Sequence, residues 1–398
     1  MMETLMKIWA DLAQTVVIPT KLWLKRRTYW QRVVILLLPL LVAFAYQERS
    51  GIQTYARFTV QRARVLLAGD RIPLSADVLK RLADSGNRIE VQARIDFRSE
   101  FELRNTTDSG WAAAQLIVAL TARRVSLGHD PVAIAAFLRA QRPPGAVGWF
   151  RGKEPPNLVN TAWCIRALAV LKQPATEPEL KYIITQQGRD GGWPVFVGMS
   201  AIQESTMATA LLAISLNEQR LLPQHSPAMR ESMSAAVDRA QGWLIQNSDR
   251  ERARWKFNPL IVDSSETESD SGLVLYALRN LAATEQGEHN DDLSHAWLQS
   301  LPNAFPRKPS EAEMSGEWFD IDATPTFDTV RHLKLQWLIM GTVVSYRDGT
   351  VAERVKALRL LEDAITKQNW GTGGTLAYQR AEMLLAITEL QRQVGAHA

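Results

Sequence analysis

The chain has 398 residues, of which 46% are hydrophobic and 22% are charged, the composition of a globular protein with a large core. Its net charge of +4 is small and its main body has no Lys/Arg-rich run, which argues against a nucleic-acid partner. The single cysteine, Cys164, excludes an intrachain disulfide framework and a zinc site built from several cysteines.

The N-terminal region carries an apolar segment behind a basic one. Residues 33–46 are uncharged and mainly aliphatic, and residues 1–32 end in a basic stretch that contains tryptophan. The apolar run is short for a hydrocarbon core of roughly 30 Å, but starting at Tyr29 and letting Arg32 snorkel allows one crossing. We predict a basic amphipathic juxtamembrane segment over residues 1–32 and a transmembrane or membrane-inserted helix over residues 33–46.

Other interpretations of residues 33–46 are a monotopic anchor, a signal peptide cleaved after the A-x-A sequence Ala43–Ala45, and an ordinary core helix. We expect a single-pass or monotopic protein of a bacterial inner membrane, with the lipid bilayer as a partner. Basic residues flank the segment on both sides, so they do not decide which side of the membrane carries the main body.

Residues 47–95 are predicted to form a helical connector to the main body. They are basic, and Gly69, Pro73 and Gly86 predict helix ends within them. The main body follows over residues 96–394.

A tryptophan recurs through the main body, in most cases beside a glycine. A helical stretch that ends in glutamine precedes most of these tryptophans, and an acid or amide with Ser or Thr opens an apolar run after them, as in ITQQGRDGGWPVF followed by ESTMATALLAISL. Glycine allows a tight turn, and the indole ring covers the turn while its N–H caps a neighbouring backbone. The recurring residues are Trp111, Trp149, Trp193, Trp255, Trp318 and Trp370.

This pattern predicts an all-α fold made of helix pairs. The helix that follows each acid-Ser/Thr start is apolar nearly all round, which is typical of a buried helix, whereas the glutamine-ending helix is amphipathic. Buried inner helices surrounded by half-exposed outer helices form an α/α toroid, in which each pair buries its apolar face against its neighbours. We predict one such toroid over residues 96–394, without strands, joined to an N-terminal membrane-anchor helix.

The glutamine at the outer helix end, the DGGW sequence and the acid-Ser/Thr start resemble the repeats of squalene–hopene cyclases and protein prenyltransferase β subunits. In these families the inner helices enclose an apolar, aromatic-lined cavity for isoprenoid chains. The resemblance therefore implies an isoprenoid or other apolar ligand, and the alternative for each candidate lining residue is an ordinary place in the core. The candidates are Trp163, Tyr276, His332, Trp337 and Tyr378.

Class II terpenoid cyclases protonate an alkene with an aspartic acid from a DxDD or DxDTT motif. The nearest match is DIDATPTFDT, in which Ala323 stands at the fourth position of the motif, where Asp or Thr is expected. By resemblance, Asp322 is the candidate catalytic acid and Asp320 its partner. The competing interpretation is a helix start, because Thr324 followed by Pro325 is typical of an N-cap and a first helical residue.

The remaining polar residues indicate no complete catalytic set. Protein prenyltransferases hold zinc with Asp, Cys and His, but Cys164 lies in an apolar run as a predicted core residue, so we expect no metal and no cofactor. The acidic loop 263–270 is a candidate site for a cation or a basic protein partner, with a solvated loop as the alternative. Acids at predicted inner-helix starts, which are candidates for an acidic rim or for helix caps, are Asp108, Glu204, Asp270 and Asp328.

Two functions follow from these patterns. The first is a membrane-anchored toroid of the terpenoid-cyclase or prenyltransferase type that binds an isoprenoid or other apolar ligand, with class II-type protonation as its reaction if it is an enzyme. The second is a non-catalytic toroid that binds lipid or protein as a scaffold in a membrane complex. A toroidal carbohydrate enzyme would need two carboxylates across a polar cleft, for which the inner helices look too apolar.

Overall fold

The computed structural model describes most of the chain from residue 58 onward, and the predicted membrane segment at residues 33–46 lies outside the described residues. Within the described ranges, no helix combines the length and the apolar character that crossing a membrane requires. The chain divides into the units Met1–Ala63 and Arg64–Ala398, and the fold described below is that of the second. The described ranges are 58–103, 110–142, 145–149, 157–197, 204–260, 264, 266–281, 287–305, 312–314, 331–367 and 376–395.

The unit Arg64–Ala398 is mostly helical, as the sequence predicts. Residues 58–68 form a helix that leads into it, and a 3₁₀ turn over Tyr346–Asp348 lies between its last two helix pairs. In chain order its α-helices are α1 (Ala76–Leu103), α2 (Trp111–Ala122), α3 (Pro131–Ala140), α4 (Leu158–Val170), α5 (Glu177–Thr185), α6 (Thr206–Arg220), α7 (Pro227–Gln246), α8 (Glu268–Leu281), α9 (Gly287–Ser300), α10 (Lys334–Ser345), α11 (Val351–Lys367) and α12 (Ala377–Val394).

The even-numbered helices are buried along most of their described length, whereas the odd-numbered helices are buried on one side, as the sequence pattern predicts. A helix that is apolar all round needs neighbours on every side. Each even-numbered helix contacts the next one in the series, and α12 also contacts α2, so the contacts form a closed circuit. Helix α1 packs on both α2 and α12, where the circuit closes.

Short antiparallel strand pairs lie between odd and even helices, so the prediction of a main body without strands was wrong. In the first two pairs, the tryptophan that follows an odd helix faces a Ser or Thr that precedes the next even helix. Strands of this length show too little alternation for a periodicity argument to find them. They are β1 (Trp193–Pro194) with β2 (Glu204–Ser205), β3 (Trp255–Lys256) with β4 (Glu266–Thr267), and β5 (Ala312–Met314) with β6 (Arg331–Leu333).

Helix α10 begins later than the sequence analysis predicted. The prediction placed His332 on this helix, and the structure places it in β6, paired with Glu313 of β5. The prediction was wrong because the backbone of β5 supplies hydrogen-bond partners that keep the chain extended as far as Leu333.

The helix end predicted at Gly86 is also wrong, because Gly86 lies within α1. A Cβ atom there would lie 3.2 Å from Arg123 Nη2 and 3.2 Å from Ile387 Cγ2, so the glycine lets the end of α2 and helix α12 approach α1. Gly69 follows the helix at residues 58–68 with φ +62°, the left-handed conformation of a helix end, as predicted.

Helices α8 and α10 approach each other most closely at two glycines. A Cβ atom on Gly272 would lie 2.1 Å from the carbonyl oxygen of Trp337, and one on Gly341 would lie 3.1 Å from Gly272 Cα. Because a packed interior has no spare volume, neither position accepts a side chain unless the helices move apart.

We expect Gly272→Ala to destabilise the protein by about 1–3 kcal/mol through overpacking, measured as a lower Tm by circular dichroism. Gly242→Ala in α7 is the matched control, because no atom lies within 4 Å of a Cβ atom placed there. Alanine at that helical position should stabilise the fold by up to about 1 kcal/mol. Equal changes in Tm for the two variants would contradict the close contact of α8 with α10.

Candidate functional site

A buried tryptophan forms the corner between α3 and α4, between α5 and α6, and between α7 and α8. The indole N–H donates to a carbonyl oxygen near the end of the preceding odd helix, which confirms the predicted cap. The donor–acceptor distances are 2.7 Å for Trp149 to Leu138, 2.9 Å for Trp193 to Ile183 and 2.7 Å for Trp255 to Leu244.

The backbone N–H of the same tryptophan donates to a hydroxyl near the start of the following even helix. Each corner residue is therefore held to both helices of its corner, and both of its buried donors are satisfied. The distances are 3.0 Å for Trp149 to Thr161 Oγ1, 2.9 Å for Trp193 to Thr209 Oγ1 and 3.1 Å for Trp255 to Ser271 Oγ.

Helices α2, α4 and α12 bring aromatic side chains together around Gln115. The Gln115 amide is oriented so that its oxygen faces hydrogen-bond donors and its nitrogen faces an acceptor. The oxygen accepts from Trp111 Nε1 and Trp163 Nε1 at 3.1 Å each, and the nitrogen donates to the backbone carbonyl oxygen of Tyr378 at 3.2 Å. The rings of Trp111 and Tyr378 lie 4.7 Å apart. Two predicted lining residues, Trp163 and Tyr378, therefore belong to one hydrogen-bonded group.

Arg166 connects this group to helices α6 and α8. Its Nε donates to Glu218 at 3.1 Å, and its Nη2 donates to the Tyr276 hydroxyl at 2.8 Å. The guanidinium carbon lies 5.6 Å from the centre of the Trp163 ring and 5.5 Å from that of Tyr276, within the range of cation–π interaction. Two predicted lining residues, Trp163 and Tyr276, thus contact the same buried arginine.

The Arg166 side chain keeps its charge although it is buried. Burial by itself lowers the pKa of the guanidinium, but the Glu218 carboxylate and the Tyr276 hydroxyl outweigh burial and hold the pKa above its ordinary value. The Nη1 atom has no hydrogen-bond partner in the described part of the chain. The arginine therefore has unused hydrogen-bond donors at Nη1.

Glu218 is the partly exposed partner of this arginine. Its side chain is 28% exposed, yet enough protein surrounds it that burial raises the pKa of its carboxyl against the lowering effects of Arg166 and Lys172. The sequence analysis assigned no role to Arg166 or Glu218. The sequence feature that could have identified this pair is the position of Arg166 within the apolar run AWCIRALAVL, since an arginine is almost never fully buried without a partner.

The other predicted residues are less well connected. Trp337 is buried in α10, and Cys164 is buried in α4 as predicted, where burial raises the pKa of its thiol. The backbone of His332 lies in β6, and its side chain is outside the described part of the structure. Four acidic candidates also lie outside the described residues, namely Asp108, Asp320, Asp322 and Asp328.

The acidic segment predicted as the loop 263–270 is in part regular structure. Residues Glu266 and Thr267 form β4, and α8 begins at Glu268, so the loop prediction was wrong for this part. Asp270 is buried in the first turn of α8 and is not itself the cap, because Thr267 Oγ1 accepts from the backbone N–H of Asp270 at 3.0 Å. The Asp270 carboxylate accepts in turn from the Thr267 hydroxyl at 2.6 Å.

Ser205 caps α6, and Glu204 precedes it in β2, so Glu204 is not itself the cap. Glu204 is 1% exposed, and its carboxylate occupies the space where side chains on Gly188 and Gly192 would lie. Neither oxygen has a hydrogen-bond partner in the described part of the chain. Burial raises the pKa of Glu204, and the carboxylate of Asp190 adds to this rise against a lowering effect of the nearby Trp243 indole.

The sequence matches no protein-family model and no curated protein.

We expect Thr209→Val to destabilise the fold by about 1–3 kcal/mol, because it leaves the buried Trp193 N–H without an acceptor. Chemical denaturation measures the loss. The control is Thr185→Val, which removes an exposed hydroxyl at the end of α5. A Thr209→Val variant as stable as this control would show that the corner hydrogen bond contributes nothing.

Glu204→Gln and Glu353→Gln should change the pH dependence of Tm in opposite directions. The pKa of Glu204 is raised by folding, so its contribution is present below the ordinary carboxyl value of 4.5 and is lost as the pH rises. Burial raises the pKa of Glu353, but hydrogen bonds from Gln299, His295 and Thr350 outweigh it and lower the pKa, so that its contribution is lost as the pH falls.

When the pH is raised from roughly 4 to roughly 7, the Tm of Glu204→Gln should therefore rise relative to that of wild type, and the Tm of Glu353→Gln should fall relative to it. Thermal scans at the two pH values measure both changes. A shift of the same sign in the two variants would contradict the assigned environments.

Proposed function

We propose that the chain is an α/α toroid, anchored at a membrane by residues 33–46, that binds an isoprenoid or other apolar ligand between its even-numbered helices. The closed circuit of contacts from α2 to α12 and back supports the toroid, because a ring of inner helices requires that circuit. The apolar surfaces of these helices suit a hydrocarbon ligand, which gains free energy when it leaves water.

The observation that carries this proposal is a difference in packing between two sets of aromatic side chains. The corner tryptophans are fully buried, whereas each aromatic residue named on the even-numbered helices keeps a small accessible surface. That residual surface is what aromatics beside a gap in the packing would retain. The exposed fractions are 0% for Trp149, Trp193 and Trp255, 3% for Trp163 and Trp337, 5% for Trp111 and Tyr276, and 7% for Tyr378.

A second candidate function is a non-catalytic scaffold that binds lipid or protein. It is favoured by the hydrogen bonds that the Trp111 and Trp163 indoles donate to Gln115, because an aromatic side chain tied to its neighbours serves the core without a ligand. Class II-type protonation is part of the first proposal only if Asp322 acts as the acid. Changing Asp320 and Asp322 together to Asn therefore separates turnover from binding, since binding alone survives the double substitution.

Binding is tested with the full-length protein in detergent micelles and tritiated farnesol as the probe. We expect saturable binding, and Trp163→Leu should weaken it about tenfold, since loss of aromatic burial costs on the order of 1–2 kcal/mol. Phe137→Leu on the odd helix α3 is the control and should bind as wild type does. Farnesol that fails to bind the folded wild-type protein would leave the scaffold as the better function.

A further inference from the structure

Resting on the proposed function, we infer that Glu218, Arg166 and Tyr276 form a subsite that accepts an uncharged hydroxyl group at one end of the apolar ligand. The three side chains come from α6, α4 and α8 and are joined by the hydrogen bonds that Arg166 donates to Glu218 and Tyr276. The inference extends the proposed function by naming the polar group of the ligand and the residues that recognise it.

Glu218 is the accessible acceptor of this subsite. Glu218 is 28% exposed, while its partner Arg166 is 3% exposed. The carboxylate oxygens accept from Arg166 Nε at 3.1 and 3.3 Å, and each oxygen can accept a further hydrogen bond. A hydroxyl that reaches Glu218 therefore meets a charged acceptor that Arg166 holds in a fixed orientation.

The charges around this subsite favour an uncharged group. Arg166 and Glu218 cancel each other, and Lys172 beside them is exposed to solvent. Asn217 Nδ2 donates to Asn280 O at 3.3 Å, which places the C-terminal ends of α6 and α8 together. Helix C-termini carry partial negative charge and disfavour anions. A diphosphate would face that charge as well as the Glu218 carboxylate, whereas a hydroxyl would not.

Two aromatic rings beside Arg166 can contact the apolar part of the ligand. The Trp163 and Tyr276 rings flank the Arg166 guanidinium, and both are among the aromatic residues that keep a small accessible surface. A hydrocarbon chain that packs against these rings places its terminal oxygen beside Glu218. The oxygen can also accept from Arg166 Nη1, which has no partner in the described part of the chain, once the ligand displaces the atoms that cover it.

The inference is tested by competition against tritiated farnesol on the full-length protein in detergent micelles. The competitors share one hydrocarbon chain and are farnesol, farnesyl methyl ether, farnesyl diphosphate and farnesene. In the wild type, the methyl ether should compete about tenfold more weakly than farnesol, because it cannot donate to a charged acceptor. Farnesyl diphosphate should also compete more weakly than farnesol.

Glu218→Gln keeps the shape of the side chain and replaces its charged acceptor with a neutral one. It should reduce the preference for farnesol over the ether to about threefold, since neutral hydrogen bonds have about half the strength of charge-assisted ones. It should also strengthen competition by the diphosphate. The matched control is Glu179→Gln on the odd helix α5, which weakens the ion pair of Glu179 with Arg139 and should leave both ratios as in wild type.

Each outcome decides the inference. Equal competition by farnesol, its ether and farnesene overturns the hydroxyl subsite and leaves the proposed apolar binding intact. Tighter competition by the diphosphate, or unchanged ratios in Glu218→Gln, overturns the subsite in the same way. Absence of any farnesol binding overturns the proposed function together with the subsite.

Discussion

The corner tryptophan sets the geometry on which the other contacts depend. Its indole N–H and its backbone N–H are both buried donors, and each has an acceptor on a different helix, as at Trp193 with Ile183 O and Thr209 Oγ1. A buried donor without an acceptor costs free energy, so these pairings restrict the angle between the two helices. The same pair of hydrogen bonds recurs at Trp149 and Trp255, so three successive helix pairs in the described part of the chain are joined in the same way.

The even-numbered helices contact one another in two ways, through close backbone packing and through buried polar groups. Where α8 meets α10, Gly272 and Gly341 allow backbone contact, and the interior there is rigid. Around Arg166, the buried surface contains a guanidinium, a carboxylate and a phenol, which hold one another through directed hydrogen bonds. Polar groups of this kind specify orientation in a way that apolar packing does not. A ligand that enters between these helices would find specificity at the polar region and affinity at the aromatic one.

The sequence was sufficient to predict the helix pairs and the role of the corner tryptophans, because both depend on periodic patterns and on local donors. It was insufficient to predict the strand at His332, because the extended conformation there depends on pairing with a distant strand. It was also insufficient to predict that Gly86 lies within a helix, because the contacts of Gly86 with Arg123 and Ile387 join parts of the chain that are far apart in sequence. The partnership of Arg166 with Glu218 has the same origin, since the two residues are 52 positions apart. Such tertiary contacts leave no periodic signal in one sequence.

The contact between α2 and α12 also has a consequence for synthesis. Arg392 donates to Ala122 O across 270 residues of chain. At about 5–20 residues per second, a ribosome makes that stretch in roughly 15–50 s, during which the part of the α2 surface that packs against α12 has no partner. The nascent protein must shield this surface until its last helix emerges, which makes the first helix pair a natural place for a chaperone to bind.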